Sequence, residues 1–170
     1  LYAVVGVRHV RQRITPDSTG VLRLGQIIGS RGGTTKEFSS GLQLDTRDNL
    51  FAPRTGQWVQ LSYVRSDAWR LSDFRYNTLQ LDVRSYHHLG ATQVLALHVQ
   101  GMGVVSGAPP FDGLPMVGGS DIMRGYKRGR FRDRWVTAAQ AEYRSPVWRR
   151  LGVVAFGGAG VVAPTIGTLH

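Results

Sequence analysis

The chain has 170 residues, the size of one domain, and no linker or low-complexity tract marks a second. Mean hydropathy is -0.16 and no apolar run approaches the ~18–20 residues of a spanning helix, which excludes a helical membrane protein but not a membrane barrel of alternating strands. The formal charge of +10 is almost wholly arginine, with Lys36 and Lys127 the only lysines, and the lack of cysteine removes disulfides, Cys-ligated zinc and thiol nucleophiles.

The dominant period is two, which predicts strands, and no helical pattern competes with it. The first strand is predicted over 1–14. It opens in an apolar run at Leu1 with no initiator Met and no signal-peptide features, as expected of a piece of a longer protein. A second is predicted over 20–29. The third, 36–48, sets Leu42 and Leu44 against Gln43, Asp45 and Arg47, and leads into turn chemistry from Asn49 to Thr55. In the fourth, 56–66, Val59, Leu61 and Tyr63 alternate with Gln60 and Ser62. The fifth, 74–87, alternates Leu79, Leu81 and Val83 with Gln80, Asp82 and Arg84.

His88 to Ala91 reads as a tight turn into the sixth strand, 91–104, where Leu95, Leu97 and Val99 oppose Ala96, His98 and Gln100. A long connection, 105–133, precedes the seventh, 134–145, in which Ala139, Ala141 and Tyr143 oppose Gln140, Glu142 and Arg144. Pro146 to Arg150 reads as a turn into the eighth, 150–162. Tight connections therefore alternate with longer ones, 67–73 and 105–133, the asymmetry of an outer-membrane barrel. Trp58, Trp69, Trp135 and Trp148, with Tyr63, Tyr76, Tyr86 and Tyr143, fall near strand ends and fit interfacial aromatic girdles. The polar face carries Gln, Asp, Arg, His and Glu in place of the many lysines of a solvated face, which suits a polar interior. The expected fold is all-β: one antiparallel up-and-down transmembrane β-barrel domain over 1–170, with about eight strands.

The long connection holds six cations between Arg124 and Arg134. They fit a nucleic-acid patch, a solvated loop, or a plug of charge in a polar cavity. The nucleic-acid reading makes the chain a basic β-rich binding module, but the other arginines are scattered over polar strand faces and form no stripe. Nothing points to an enzyme. His9, His87, His88 and His98 have no triad partners, and adjacent His87 and His88 face opposite sides of a strand. The segment G-G-S-D-I-M-R-G-Y lacks the Gly-Lys-Ser/Thr ending of a phosphate-binding loop. No catalytic residue, cofactor or metal is expected.

Two segments carry a family resemblance. One is G-L-Q-L-D-T-R-D-N-L-F-A-P-R-T-G, Gly41 to Gly56. The other is G-G-S-D-I-M-R-G-Y, Gly118 to Tyr126, followed by A-E-Y-R-S-P-V-W from Ala141 and V-A-F-G-G-A-G from Val154. In this order and spacing they resemble the barrel of the bacterial surface antigen family. That family includes BamA, TamA, two-partner secretion transporters and the barrels that carry patatin-like passengers.

The resemblance implies a sixteen-stranded barrel in the bacterial outer membrane, preceded by POTRA domains or a passenger, of which this chain is a slice. The implied function is insertion or secretion of polypeptides, with the translocator barrel of a patatin-type autotransporter as the alternative. The implied partners are outer-membrane lipid, a polypeptide substrate and the upstream POTRA or passenger domain. Produced alone, a slice is expected to close into a small eight-stranded barrel, pair with other copies through its edges as a homo-oligomer, or aggregate.

The resemblance also implies that the long connection folds into the lumen. Arg124, Gly125 and Tyr126 match its motif, after the glycine pair Gly118 and Gly119, and Glu142 matches the acidic partner on the next strand beside Gln140. The family often has an aspartate two residues after Phe156, where this chain has Gly158. Asp121, Asp133, Asp45 and Asp82 are the candidates to replace it. Asp45, Arg47 and Asp48, with Pro53 and Gly56, match a turn motif for which a structural role is expected.

Overall fold

The computed structural model describes residues 1–15, 25–66, 72–148 and 151–168. In chain order the strands are β1 (Tyr2–Arg13), β2 (Gly32–Asp45), β3 (Gly56–Ser66), β4 (Tyr76–Leu89), β5 (Gln93–Gly107), the short β6 (Met116–Val117) and β7 (Phe131–Arg132), β8 (Trp135–Trp148) and β9 (Leu151–Ala163). The seven long strands form one antiparallel sheet in the order β1-β2-β3-β4-β5-β8-β9, an up-and-down meander. β6 and β7 pair with each other inside the connection from β5 to β8. Among the described residues β1 pairs with β2 alone and β9 with β8 alone, so the sheet is open and makes no small closed barrel.

The expected strand over 20–29 is not formed where it can be seen. Residues 20–24 lie outside the described residues, and 25–31 is a series of turns, with Ser30 N–H donating to Ile27 O at 3.0 Å. Gly25 and Gly29 adopt φ of +66° and +81°, which breaks the extension that the apolar run suggested. At the other end, β8 does not stop for a turn at Pro146. It continues to Trp148 and absorbs the proline through a register shift between Pro146 and Trp148, a bulge where a missing N–H is tolerated. Within the connection predicted over 67–73, residues 67–71 lie outside the described residues.

Register keeps like side chains in rows. Leu42, Leu61, Leu81 and Gly101 stand side by side on one face, and Gln43, Gln60, Asp82 and Gln100 on the other. The accessibility of these rows is the reverse of a soluble sheet: Leu42, Leu61 and Leu81 are 53%, 43% and 42% exposed, while Asp82 and Glu142 are 5% and 6% exposed. An apolar face left open beside a covered polar face requires an apolar surrounding medium.

The cover over the polar face is the connection 108–134. Its Val117 and Ile122 bury against Val136 and Ala138 of β8, with Met123 and Val162 beside them. Burying an aliphatic side chain of this size contributes ~1.5–3 kcal/mol, so this small cluster fixes the loop on the sheet. At one end lie the connections 46–55, 90–92 and 149–150, the last two short, and Arg54 Nη2 of the first reaches His88 Nε2 at 3.0 Å and Ala91 O at 3.4 Å. At the other end the longer connections are laced together. Phe111 N–H donates to Ile28 O, Asp73 N–H to Thr34 O and Ala108 N–H to Arg75 O, each at 2.9 Å.

The aromatic girdle is thinner than the sequence suggests. Tyr63, Trp135 and Tyr143 lie on the apolar face. Trp58, Tyr76 and Tyr86 lie on the polar face: Arg84 stacks 4.9 Å over Trp58, Arg144 lies 5.9 Å over Tyr86, and Tyr76 donates its hydroxyl to Glu37. Closeness to a strand end says nothing about side, which one step of register decides. Trp69 lies outside the described residues.

Candidate functional site

The candidate site is where the loop meets the polar rows of β4, β5 and β8. Alternation on β8 turns Gln140, Glu142 and Arg144 toward the loop, and pairing sets them opposite His98, Ala96 and Val94 of β5. The loop reaches them by turning back on itself. Gly118 and Gly119 take φ of +107° and +119°, and Gly119 N–H donates to Tyr126 O at 3.0 Å across the base of the turn. Gly125 has φ +98°, and an added Cβ there would meet nothing within 4 Å. Glycine is needed there for the turn and not for close approach to the wall.

That turn presents Arg124 to the sheet. Its guanidinium pairs with Glu142 Oε2, its Nε donates to Ser120 O at 3.3 Å, and its Cζ lies 5.0 Å over the Phe156 ring. Its backbone N–H donates to Gln140 Oε1 at 3.5 Å. The other Glu142 oxygen accepts from Arg144 Nε, so one carboxylate serves two arginines. The Glu142 side chain is 7% exposed, and charge-assisted bonds there meet little competition from water.

A second tether lies alongside. His98 Nδ1 is 3.3 Å from Asp121 O in the loop and its Nε2 is 3.0 Å from Asp82 Oδ1. Asp82 in turn accepts from Arg84 Nε and Nη2, each at 3.2 Å. Arg84, His98, Asp121, Arg124, Glu142 and Arg144 line a polar cavity of about 170 Å³, room for several ordered waters.

The carboxylate expected in place of one at Gly158 is not supplied by any of the four candidates. Asp121 accepts from Ser120 Oγ, Asp133 from Arg134 N–H, Asp45 from Arg47, and Asp82 from His98 and Arg84. Arg124 has the Phe156 ring and the Ser120 carbonyl instead. A Cβ at Gly158 would already lie 2.9 Å from Ala139 O, which leaves no room there for a larger side chain without movement.

Tyr126 stands apart from the ion pair. It is 44% exposed and packs edge to face on Phe131 at 5.7 Å. The other cations mostly bind the loop itself. Arg132 donates to Gly129 O and Phe111 O, Arg134 to Gly107 O, and Arg130 lies 5.6 Å over Phe131, while Lys127 and Arg128 are exposed.

The turn motif sits at the end with short connections, away from the loop. Arg47 makes a two-pronged pair with Asp45, at 2.9 and 2.7 Å. Asp48 accepts from the backbone N–H groups of Arg54 and Thr55, and Pro53 is buried. Gly56 has φ +94°, and a Cβ there would lie 2.2 Å from Thr46 O. His87 and His88 take separate partners, Ser85 Oγ and Arg54.

With the loop seated in a polar face and the apolar face outward, the family match decides the identity. The Omp85 superfamily domain matches residues 5–165. The chain belongs to the Omp85 superfamily. No individual curated protein matches it. Membership makes the open sheet of this Omp85 domain a partial β-barrel. It also identifies the broad class: bacterial outer-membrane proteins that insert or secrete polypeptides.

The sequence did not single out Arg144 as a second partner of Glu142, although the i, i+2 spacing on one strand was a usable signal. His98 and Asp82 were visible as lumen-facing residues. Their role depends on where the backbone of Asp121 lies, and no pattern in the sequence encodes that.

Proposed function

We propose that this domain is the barrel of an assembly or secretion factor in the bacterial outer membrane, and that its 108–134 loop is a lumen plug locked by Arg124 and Glu142. The observation that supports this reading most directly is the buried Glu142 carboxylate gripping an arginine from the loop, on a face otherwise lined with polar groups. Such a lock holds the plug while the lumen is idle and yields when a substrate competes for the same space. A substrate strand would then pair with a sheet edge, because an unpaired edge offers a ready row of N–H and C=O groups.

The test is charge reversal in the full-length parent. Arg124→Glu sets two carboxylates together and is expected to lower polypeptide insertion or secretion by roughly tenfold or more, since an unpaired buried charge costs ~3–5 kcal/mol. Glu142→Arg on that background is expected to restore part of the activity. Full activity in Arg124→Glu would overturn the lock.

A further inference from the structure

The outward face changes character toward the end with the long connections. On β1 the outward series runs Val5, Val7, His9, Arg11 and Arg13. Lys36 stands opposite His9 on β2, and Arg65 ends the outward series Val59, Leu61 and Tyr63 on β3. Val5 and Val7 are 74% and 70% exposed, so an apolar band and a cationic rim form one continuous surface. At the top of that rim Arg11, Arg13 and Arg31 line an open groove of about 580 Å³ with Thr34 and Asp73.

Among the described residues the carboxylate that lines the groove with these three arginines is that of Asp73. Asp73 Oδ2 already accepts the Thr34 backbone N–H at 2.6 Å, and none of the three arginines pairs with a carboxylate among the described residues. Three guanidiniums against one carboxylate leave the groove net positive, which favours a further anion between the arginines. The apolar band directly below sets the groove at the height of lipid headgroups.

We propose that this groove binds the phosphates of a multiply phosphorylated lipid headgroup in the leaflet on the long-connection side. Arginine forks take phosphate oxygens in pairs, and three of them suit more than one phosphate. A singly charged headgroup leaves part of the groove's net positive charge unmatched. The proposal rests on the membrane-barrel reading and not on polypeptide transport.

The test uses the full-length parent purified in neutral detergent, with lipid A as the diphosphorylated probe and bound copies counted by native mass spectrometry. Arg11→Ser/Arg13→Ser/Arg31→Ser is expected to weaken lipid A binding by roughly tenfold or more. The corresponding triple lysine variant keeps the charge, loses the forked geometry, and is expected to bind measurably more weakly than the native chain. Phosphatidylglycerol and inorganic phosphate, added at equal charge, are expected not to displace lipid A. Unchanged affinity in the triple serine variant, or displacement by either competitor, would overturn the proposal. Should the serine variant fail to fold, shown by a lost shift in electrophoretic mobility on heating, the lysine variant decides, and unchanged affinity there is equally fatal. Transport that fails with lipid A binding intact faults the plug instead.

Discussion

At the level of single residues, the site concentrates on Glu142. It alone meets Arg124 from the loop and Arg144 from its own strand, so its neutralisation removes both pairs together. Glu142→Gln is expected to release the loop at a cost of about 3 kcal/mol at most, discounted because Arg124 and Arg144 are each 35% exposed. The measurement is tryptic cleavage of the arginine-rich loop in the folded parent, which should quicken. Unaltered cleavage would show that the pair does not hold the plug. Asp48 gives a separate, pH-dependent expectation at the short-turn end. The backbone N–H of Arg54, and then that of Thr55, hold its carboxyl below the usual carboxylate range. A depressed carboxyl pKa adds stability that is complete above the unfolded value of about 4 and is lost as pH falls through the lower folded value. Denaturant midpoints of the native chain should therefore fall as the pH drops below about 4, and Asp48→Asn should show a smaller fall over the same range.

Among the elements, the loop and the turns respond to different physics. Ile122 buries against Val136 and Ala138, so Ile122→Asp places a charge in that cluster and should undock the loop. The sheet does not depend on the cluster for its ladder, so far-UV circular dichroism should keep its β signal while loop cleavage rises. Loss of the β signal would mean that the loop is needed to build the sheet. Gly56→Ala acts on the β2–β3 turn, where φ +94° and a Cβ 2.2 Å from Thr46 O forbid a side chain without rearrangement. It is expected to cost ~1–3 kcal/mol, read as a lower denaturant midpoint with the loop still protected. Strand identity was legible in the sequence because alternation at Leu79 to Arg84 or Ala139 to Arg144 leaves one assignment of faces. The failures came where local composition misled. The apolar run over 20–29 lacks true alternation and holds three glycines, and Pro146 reads as a stop until a bulge accommodates it. Arg124 and Glu142 were legible as family positions, whereas the His98–Asp121 contact depends on the path of a loop that carries no period.

For the whole molecule, the deciding property is the inverted placement of polar and apolar faces, and it was the most legible feature of the sequence. Alternation with glutamine, aspartate, histidine and arginine on one face describes a lumen wall, because such residues can satisfy one another across rows such as Gln60, Asp82 and Gln100. What alternation cannot reveal is how much of the lumen is filled, since that depends on non-local packing of the 108–134 loop. The inversion also makes a sharp prediction about neighbouring residues on β4. Leu81 faces outward at 42% exposure, and Gln80 beside it faces the lumen. An arginine at Leu81 would enter the hydrocarbon layer, where an outward cation near the midplane costs ~2–4 kcal/mol. An arginine at Gln80 joins a polar wall and should cost far less. Urea unfolding of the full-length parent in phospholipid vesicles compares the two, and Leu81→Arg is expected to lower the midpoint well beyond Gln80→Arg. In a soluble sheet the exposed Leu81 position would accept arginine without penalty, and the order of the two variants would reverse. The comparison therefore tests the membrane assignment through a single pair of adjacent residues, independently of transport and of the Arg124 lock.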